Sequence, residues 1–300
     1  RMMQGENMRF TGIRQFPMGK SMMFLGLFFI AGLFLTAFLS ELMPMVFPGM
    51  ETVANLKLTL ALQNVLAFML PAFLMALVVG KPVRFLQLNK KPSAFAVVGV
   101  VVLYCVMTPA MNMIVHLNES VKLPESMAAL EQWLKASEEA ALAVTNQVVD
   151  VSSIPAMLLS ILYIGVLTGL GEEMFFRGAL QNVLHKGIAR QHFAVWTAAV
   201  IFSLLHFQFY GFVPRVLLGA FFGYAFLWSG SLWVPVIGHA LNNSAVVVST
   251  YLVKNGIVDT DLSAVGAEMN TIPWLAILSL VLTIVLMMFY REVLKHKRYE

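Results

Sequence analysis

Apolar residues run in long blocks along this chain, interrupted by short polar stretches, and the blocks set the reading. Eight are long or apolar enough to be candidate spans: about 21–43, 58–79, 94–115, 155–185, 193–209, 214–229, 232–253 and 272–290. Roughly 20 apolar residues cross a bilayer as a helix. The fourth block is long for one span, and the fifth and sixth are short. The sixth and seventh are divided only by Ser229, Gly230 and Ser231. The expected fold is therefore all-α, a bundle of about eight transmembrane helices forming one membrane domain over 1–300.

Three of these blocks carry polar groups where a span tolerates them poorly. Glu172 and Glu173 lie in the fourth, followed by Arg177. His206 lies in the fifth, four residues after Phe202, and His239 and Asn243 lie in the seventh, also four apart. An ionisable group at bilayer depth costs several kcal/mol or more, which makes it a functional candidate by default.

Composition agrees with the pattern. The chain is 59% hydrophobic and 12% charged, against about 25% charged in soluble domains. A single cysteine, Cys105, excludes an intrachain disulfide and a cysteine metal site, and is expected as a small buried hydrophobe. The net charge of +4 is scattered over short loops, so no nucleic-acid partner is expected. Instead it reports topology. With Arg177 set aside, fourteen Lys and Arg fall on one side and five on the other when the N-terminus is cytoplasmic. Both termini are then cytoplasmic, in a bacterial cytoplasmic membrane. The first apolar block, starting near Ser21, is expected to be a span and not a cleaved signal. Residues 116–153 form an outer loop. Within it Glu125–Val144 carries apolar residues at helical spacing, as either an interfacial helix or a solvated cap. His185 and His192, at the turn after the fourth block, are expected to be solvated.

Depth brings the three polar pairs together. Glu172 and His206 are each seventeen residues from residue 189, so a helical hairpin places them at similar depth, roughly 20 Å from its turn. His239 and Asn243 enter from the same side, at roughly 12–18 Å. Glu173 and Arg177 are spaced i,i+4, the better orientation for an ion pair, which turns Glu172 toward another neighbour. A carboxylate in apolar surroundings favours its protonated form, and so can act as base and then acid near neutral pH. A histidine beside it can orient a water. A second histidine with an asparagine can stabilise an oxyanion. That set suffices for hydrolysis of a peptide bond without a covalent intermediate and without a cofactor. The alternative assignment makes Glu172, His206 and His239 a zinc-binding His₂-carboxylate set.

The segments Glu172-Glu173-Met174-Phe175-Phe176-Arg177, Phe202-Ser203-Leu204-Leu205-His206 and His239-Ala240-Leu241-Asn242-Asn243 together resemble the type II CAAX prenyl endopeptidases. This family is also called the CAAX protease and bacteriocin-processing intramembrane proteases. It is marked by Glu-Glu-x-x-x-Arg, Phe-x-x-x-His and His-x-x-x-Asn or Asp, in that order. The resemblance covers roughly 165–250. It implies a glutamate-dependent intramembrane protease with Glu172 activating water and His206 as its partner. His239 and Asn243 would line the oxyanion site, while Glu173, Arg177 and Phe202 orient. The implied substrate is a peptide or protein C-terminus, lipid-modified in some members, reached from among membrane lipids. Two other classes keep the same residues: a proton-coupled transporter with a Glu/His relay, and a non-catalytic peptide-binding or immunity membrane protein.

Overall fold

The structure, a computed structural model, describes residues 16–188, 190–259, 265 and 273–296. It is an all-α polytopic membrane protein. Seven helices among the described residues are long and apolar enough to cross a membrane. They are α1 (Met18–Val46), α2 (Thr52–Val79), α4 (Ala94–Glu119), α6 (Ile154–Gly187), α8 (Phe212–Ser229), α9 (Trp233–Lys254) and α10 (Trp274–Lys295). Three further α-helices, shorter or less apolar, are α3 (Pro82–Phe85), α5 (Ala128–Val148) and α7 (Gln191–Leu204). Large apolar residues such as Phe34, Phe38, Leu162 and Met288 lie exposed on the outside, as a lipid-facing belt requires.

The fifth expected span is the one that differs. The helix reaches only from Gln191 to Leu204, not to residue 209. Its last turn tightens, with His206 N donating to Ser203 O and Phe207 N to Leu204 O. Phe207 then takes a left-handed backbone, φ 53°, which an α-helix of L-residues does not continue through. His206 consequently sits in the loop just past the helix end. Ser203 Oγ donates to Phe212 O at 2.9 Å, and Asn118 at the end of α4 holds the rest of that loop. Its Nδ2 donates to Phe209 O at 3.1 Å and Tyr210 O at 2.6 Å, and its Oδ1 accepts from Val213 N.

At the other end of the bundle, the α8–α9 turn rests on the basic loop after α3. Trp233 Nε1 donates to Leu88 O at 2.9 Å, Ser231 Oγ to Lys90 O, and Leu232 N to Gln87 O. Asn182 of α6 donates to Phe85 O at 2.9 Å. The loop rich in Lys and Arg and the lower ends of α6, α8 and α9 therefore share one end of the molecule.

The helix that carries the acidic pair is not uniformly wound. Ile161–Leu167 and Met174–Gln181 are π-helical, and so is Asn64–Met69 in the facing α2. Such wide turns in otherwise α-helical segments are frequent at functional sites. Two glycines let α6 lie against α9. A Cβ on Gly169 would stand 3.0 Å from Ala240 N, and one on Gly165 would stand 2.3 Å from Ser244 Oγ. Small residues at membrane helix contacts permit this close approach.

Two expectations are corrected. Cys105 is exposed, not buried. In a bilayer an apolar residue is as acceptable outside as inside, so hydrophobicity alone does not sort the faces. His185 is buried, not solvated, because α6 continues past it against the rest of the bundle. His192 pairs its ring with Tyr224 Oη at 2.8 Å.

Gly169→Leu is expected to force α6 away from α9. Overpacking of this kind costs about 1–3 kcal/mol, read as a lower midpoint for thermal unfolding in mild detergent. An unchanged midpoint would show that the two helices separate freely.

Candidate active site

Glu173 lies at the centre of a buried polar cluster. Its Oε1 accepts from Arg177 Nη1 at 2.6 Å and from His239 Nδ1 at 2.7 Å. Glu173 is 0% exposed and Arg177 1%. The i,i+4 pair expected from the sequence is thus formed, with a third member from α9 attached to the same oxygen. The guanidinium is also held by Gly219 of α8, whose carbonyl accepts from Nη2 at 2.8 Å. It lies 5.0 Å from the ring centre of Phe202 and 5.8 Å from that of Phe222. Aromatic faces attract a cation at such distances. Gly219 is required at this approach, since a Cβ there would meet Ala199 and Phe202 at 3.2–3.3 Å.

His239 is fixed from three directions. Glu173 takes its Nδ1, Phe222 stacks on it with centroids 5.2 Å apart and planes 16° apart, and Phe202 meets it edge-on at 5.9 Å. Its other nitrogen, Nε2, faces Glu172 Oε2 at 3.6 Å. Glu172 is 8% exposed, so of the two adjacent carboxylates it is the one with an open side. That matches the expectation that Glu172 turns away from the Glu173–Arg177 pair, and its ring partner across that gap is His239.

His206 lies one turn beyond Phe202. Its ring packs edge-on against Phe202 at 4.8 Å, and its Nδ1 bonds Phe202 O at 2.8 Å. A carbonyl only accepts, so Nδ1 carries the proton and Nε2 is left as an acceptor when the ring is neutral. Glu172, His239 and Arg215 all act electrostatically on this ring, although no direct hydrogen bond joins it to Glu172 among the described residues.

Asn243, one turn past His239, is partly engaged. Its Nδ2 donates to Ile164 O of α6 at 3.2 Å, and its Oδ1 accepts from Asn242 at 3.0 Å. One amide hydrogen remains. The structure therefore brings Glu172, Glu173, Arg177 and His239 into direct reach, with Phe202 and His206 stacked beside them and Asn243 tying α9 to α6. Among the described residues no group of three His, Cys, Asp or Glu is arranged to hold a metal ion.

Three contributors were not singled out from the sequence. Asn118 clamps the His206 loop. Arg215 Nη2 donates to Gln208 Oε1 at 2.6 Å within electrostatic reach of Glu172. Asn64, at the start of the π-turn in α2, donates to Thr168 Oγ1 of α6 at 3.1 Å. None belongs to a recognisable spacing. The one signal each gives is a polar residue within or beside an apolar run.

Comparison with known proteins locates the resemblance. Residues 154–245 match the family model described as type II CAAX prenyl endopeptidase, Rce1-like. The matched segment contains Glu172, Glu173, Arg177, Phe202, His206, His239 and Asn243, and the resemblance read from the sequence is borne out there. The uncharacterized protein YpbD of Bacillus subtilis (strain 168) is 32% identical over 83 residues, which is 26% of this chain and 39% of YpbD. The chain thus matches about two fifths of that relative's length. No solved structure matches significantly.

Removing one member of a buried ion pair leaves the other uncompensated, at a cost of about 3–5 kcal/mol. Arg177→Met is expected to lose that much stability to unfolding in detergent. The double change Arg177→Met with Glu173→Gln should recover part of it, since no unpaired carboxylate is then left. Additive losses would show that the pair is not coupled.

Proposed function

We propose that this protein is an intramembrane endopeptidase that hydrolyses a peptide bond with a water activated by Glu172. The observation that carries the reading is the division of labour between the two buried carboxylates. Glu173 is fully buried and its Oε1 is taken by Arg177 and His239, whereas Glu172 keeps an open side and meets only the far nitrogen of His239, at 3.6 Å. The similarity of residues 154–245 to the Rce1-like endopeptidases supports the same class of reaction.

The reaction uses Glu172 as a carboxylate and the His239 ring with a hydrogen on each nitrogen, its Nδ1–H on Glu173. Glu172 can then take a proton from water as hydroxide adds to the carbonyl carbon. His206 Nε2 accepts the second hydrogen of that water and orients it. His239 Nε2–H and the remaining amide hydrogen of Asn243 face the developing oxyanion. The proton on Glu172 then passes to the departing amine as the C–N bond breaks, which restores the carboxylate.

The site also suggests how the substrate arrives. His239 is six residues from the start of α9, roughly 9 Å along the helix, and that start rests on the basic loop. The Lys/Arg-rich end is the shorter route, which on the positive-inside argument is cytoplasmic. Substrates would then be C-terminal segments, lipid-attached or not, presented from that side.

Purified protein incubated with a C-terminal peptide library should cleave it. Glu172→Gln should reduce the rate by about 10²–10⁴ while leaving the unfolding midpoint in place, and His206→Ala should do the same. Glu173→Gln should weaken but not abolish cleavage. A dead Glu173→Gln beside an active Glu172→Gln would reverse the roles. A chelator should leave the rate unchanged. Loss restored by zinc would replace the water-activation scheme with a metal one.

A further inference from the structure

At the end of the bundle away from the basic loop lies a shallow cavity of about 240 Å³, wide open to the outside and lined by Glu119, Lys135, Glu138, Glu139 and Tyr210. That volume is well above the roughly 30 Å³ share of one water. Three carboxylates come from two elements, the end of α4 and the amphipathic helix α5. The lysine among them is already matched, because its Nζ lies 2.7 Å from Glu131 Oε1. The hydrogen bond from Lys135 holds the Glu131 carboxyl below its ordinary range. The opposing charge nearby, Arg215, is hydrogen-bonded to Gln208.

Two buried polar atoms at this cavity lack partners. Tyr210 is 7% exposed, yet its hydroxyl makes no hydrogen bond, and Glu138 Oε2 likewise makes none. A buried oxygen left unsatisfied costs about 1–3 kcal/mol, so the pair is set to accept a donor. The carboxylates are not grouped to ligate a metal ion. Calcium or magnesium needs oxygens converging at about 2.0–2.6 Å, whereas an organic cation accepts longer, more spread contacts through several N–H groups.

We propose that this cavity is a binding site for the primary ammonium group of a lysine side chain on a peptide. The carboxylate of Glu138 pairs with the charge, and the Tyr210 hydroxyl oxygen accepts one N–H. Tyr210 is four residues after His206 on the loop that Asn118 clamps, so an occupant would touch the segment that carries that histidine. Binding here is independent of the hydrolytic reading, and the test separates them.

The probe is a fluorescein-labelled pentapeptide with one central lysine flanked by glycines, against its norleucine counterpart. Binding is read by fluorescence anisotropy on protein in nanodiscs of choline phospholipid. The lysine peptide should bind about tenfold tighter, the scale of a charge-assisted hydrogen bond. Glu138→Gln should remove most of that preference, and Tyr210→Phe should reduce it severalfold. Glu172→Gln should bind as the unmodified protein does, whatever its activity. Nanodiscs containing ethanolamine phospholipid should leave the lysine preference in place; its loss there would assign the site to a lipid amine and overturn the proposal. Equal binding of the two peptides, or a preference that survives both Glu138→Gln and Tyr210→Phe, overturns the proposal.

Discussion

One oxygen atom, Glu173 Oε1, holds the site together. Two donors from different helices converge on it, Arg177 from its own α6 and His239 from α9. Because both partners are buried, neither can be satisfied by water instead, and the arrangement tolerates little displacement. The consequences spread outward. Arg177 needs the carbonyl of Gly219, which draws α8 inward, and its guanidinium needs the rings of Phe202 and Phe222. His239, tethered at Nδ1, has only Nε2 to offer Glu172. A polar network in a low-dielectric interior is stable only when nearly every member is satisfied. Here that requirement fixes the relative positions of four helices.

This arrangement explains why two adjacent acids have different uses. On a helix, neighbouring residues point about 100° apart, so Glu172 and Glu173 meet opposite nitrogens of His239 and only Glu173 is paired with Arg177. One is spent on structure. The other is left at an accessible edge, with a histidine at 3.6 Å, too far for a strong hydrogen bond. Glu173 also fixes the ring of His239 through its Nδ1.

Much of this was legible from residue spacing. The i,i+4 relation of Glu173 and Arg177 foretold their pair, whereas the hairpin argument for Glu172 and His206 assumed a helix that ends at Leu204, before the histidine. The attachment of His239 to Glu173 was not legible, because it depends on the rotation of α9 about its own axis. That rotation is set by contacts such as Gly169 against Ala240 and Asn243 on Ile164. The early end of α7 was hidden for a related reason: Leu204, Leu205 and Phe207 are as apolar as helix-forming neighbours, and nothing in hydropathy marks a left-handed Phe207. The exposure of Cys105 and burial of His185 show the same limit, since hydropathy in a membrane protein reports depth better than it reports facing.

The short α7 has an effect on the lipid around it. Fourteen residues extend about 21 Å, against a hydrocarbon thickness of about 30 Å. Beyond its end, Leu204 and Phe207 are exposed on the outside of the bundle. A segment shorter than the bilayer is accommodated by local thinning at a modest cost per ångström. Lipid beside the His206 loop would therefore be compressed, and headgroups and water drawn toward the level of the site. Hydrophobic mismatch at one helix would thus shorten the hydrocarbon path between the membrane surface and the level of Glu172.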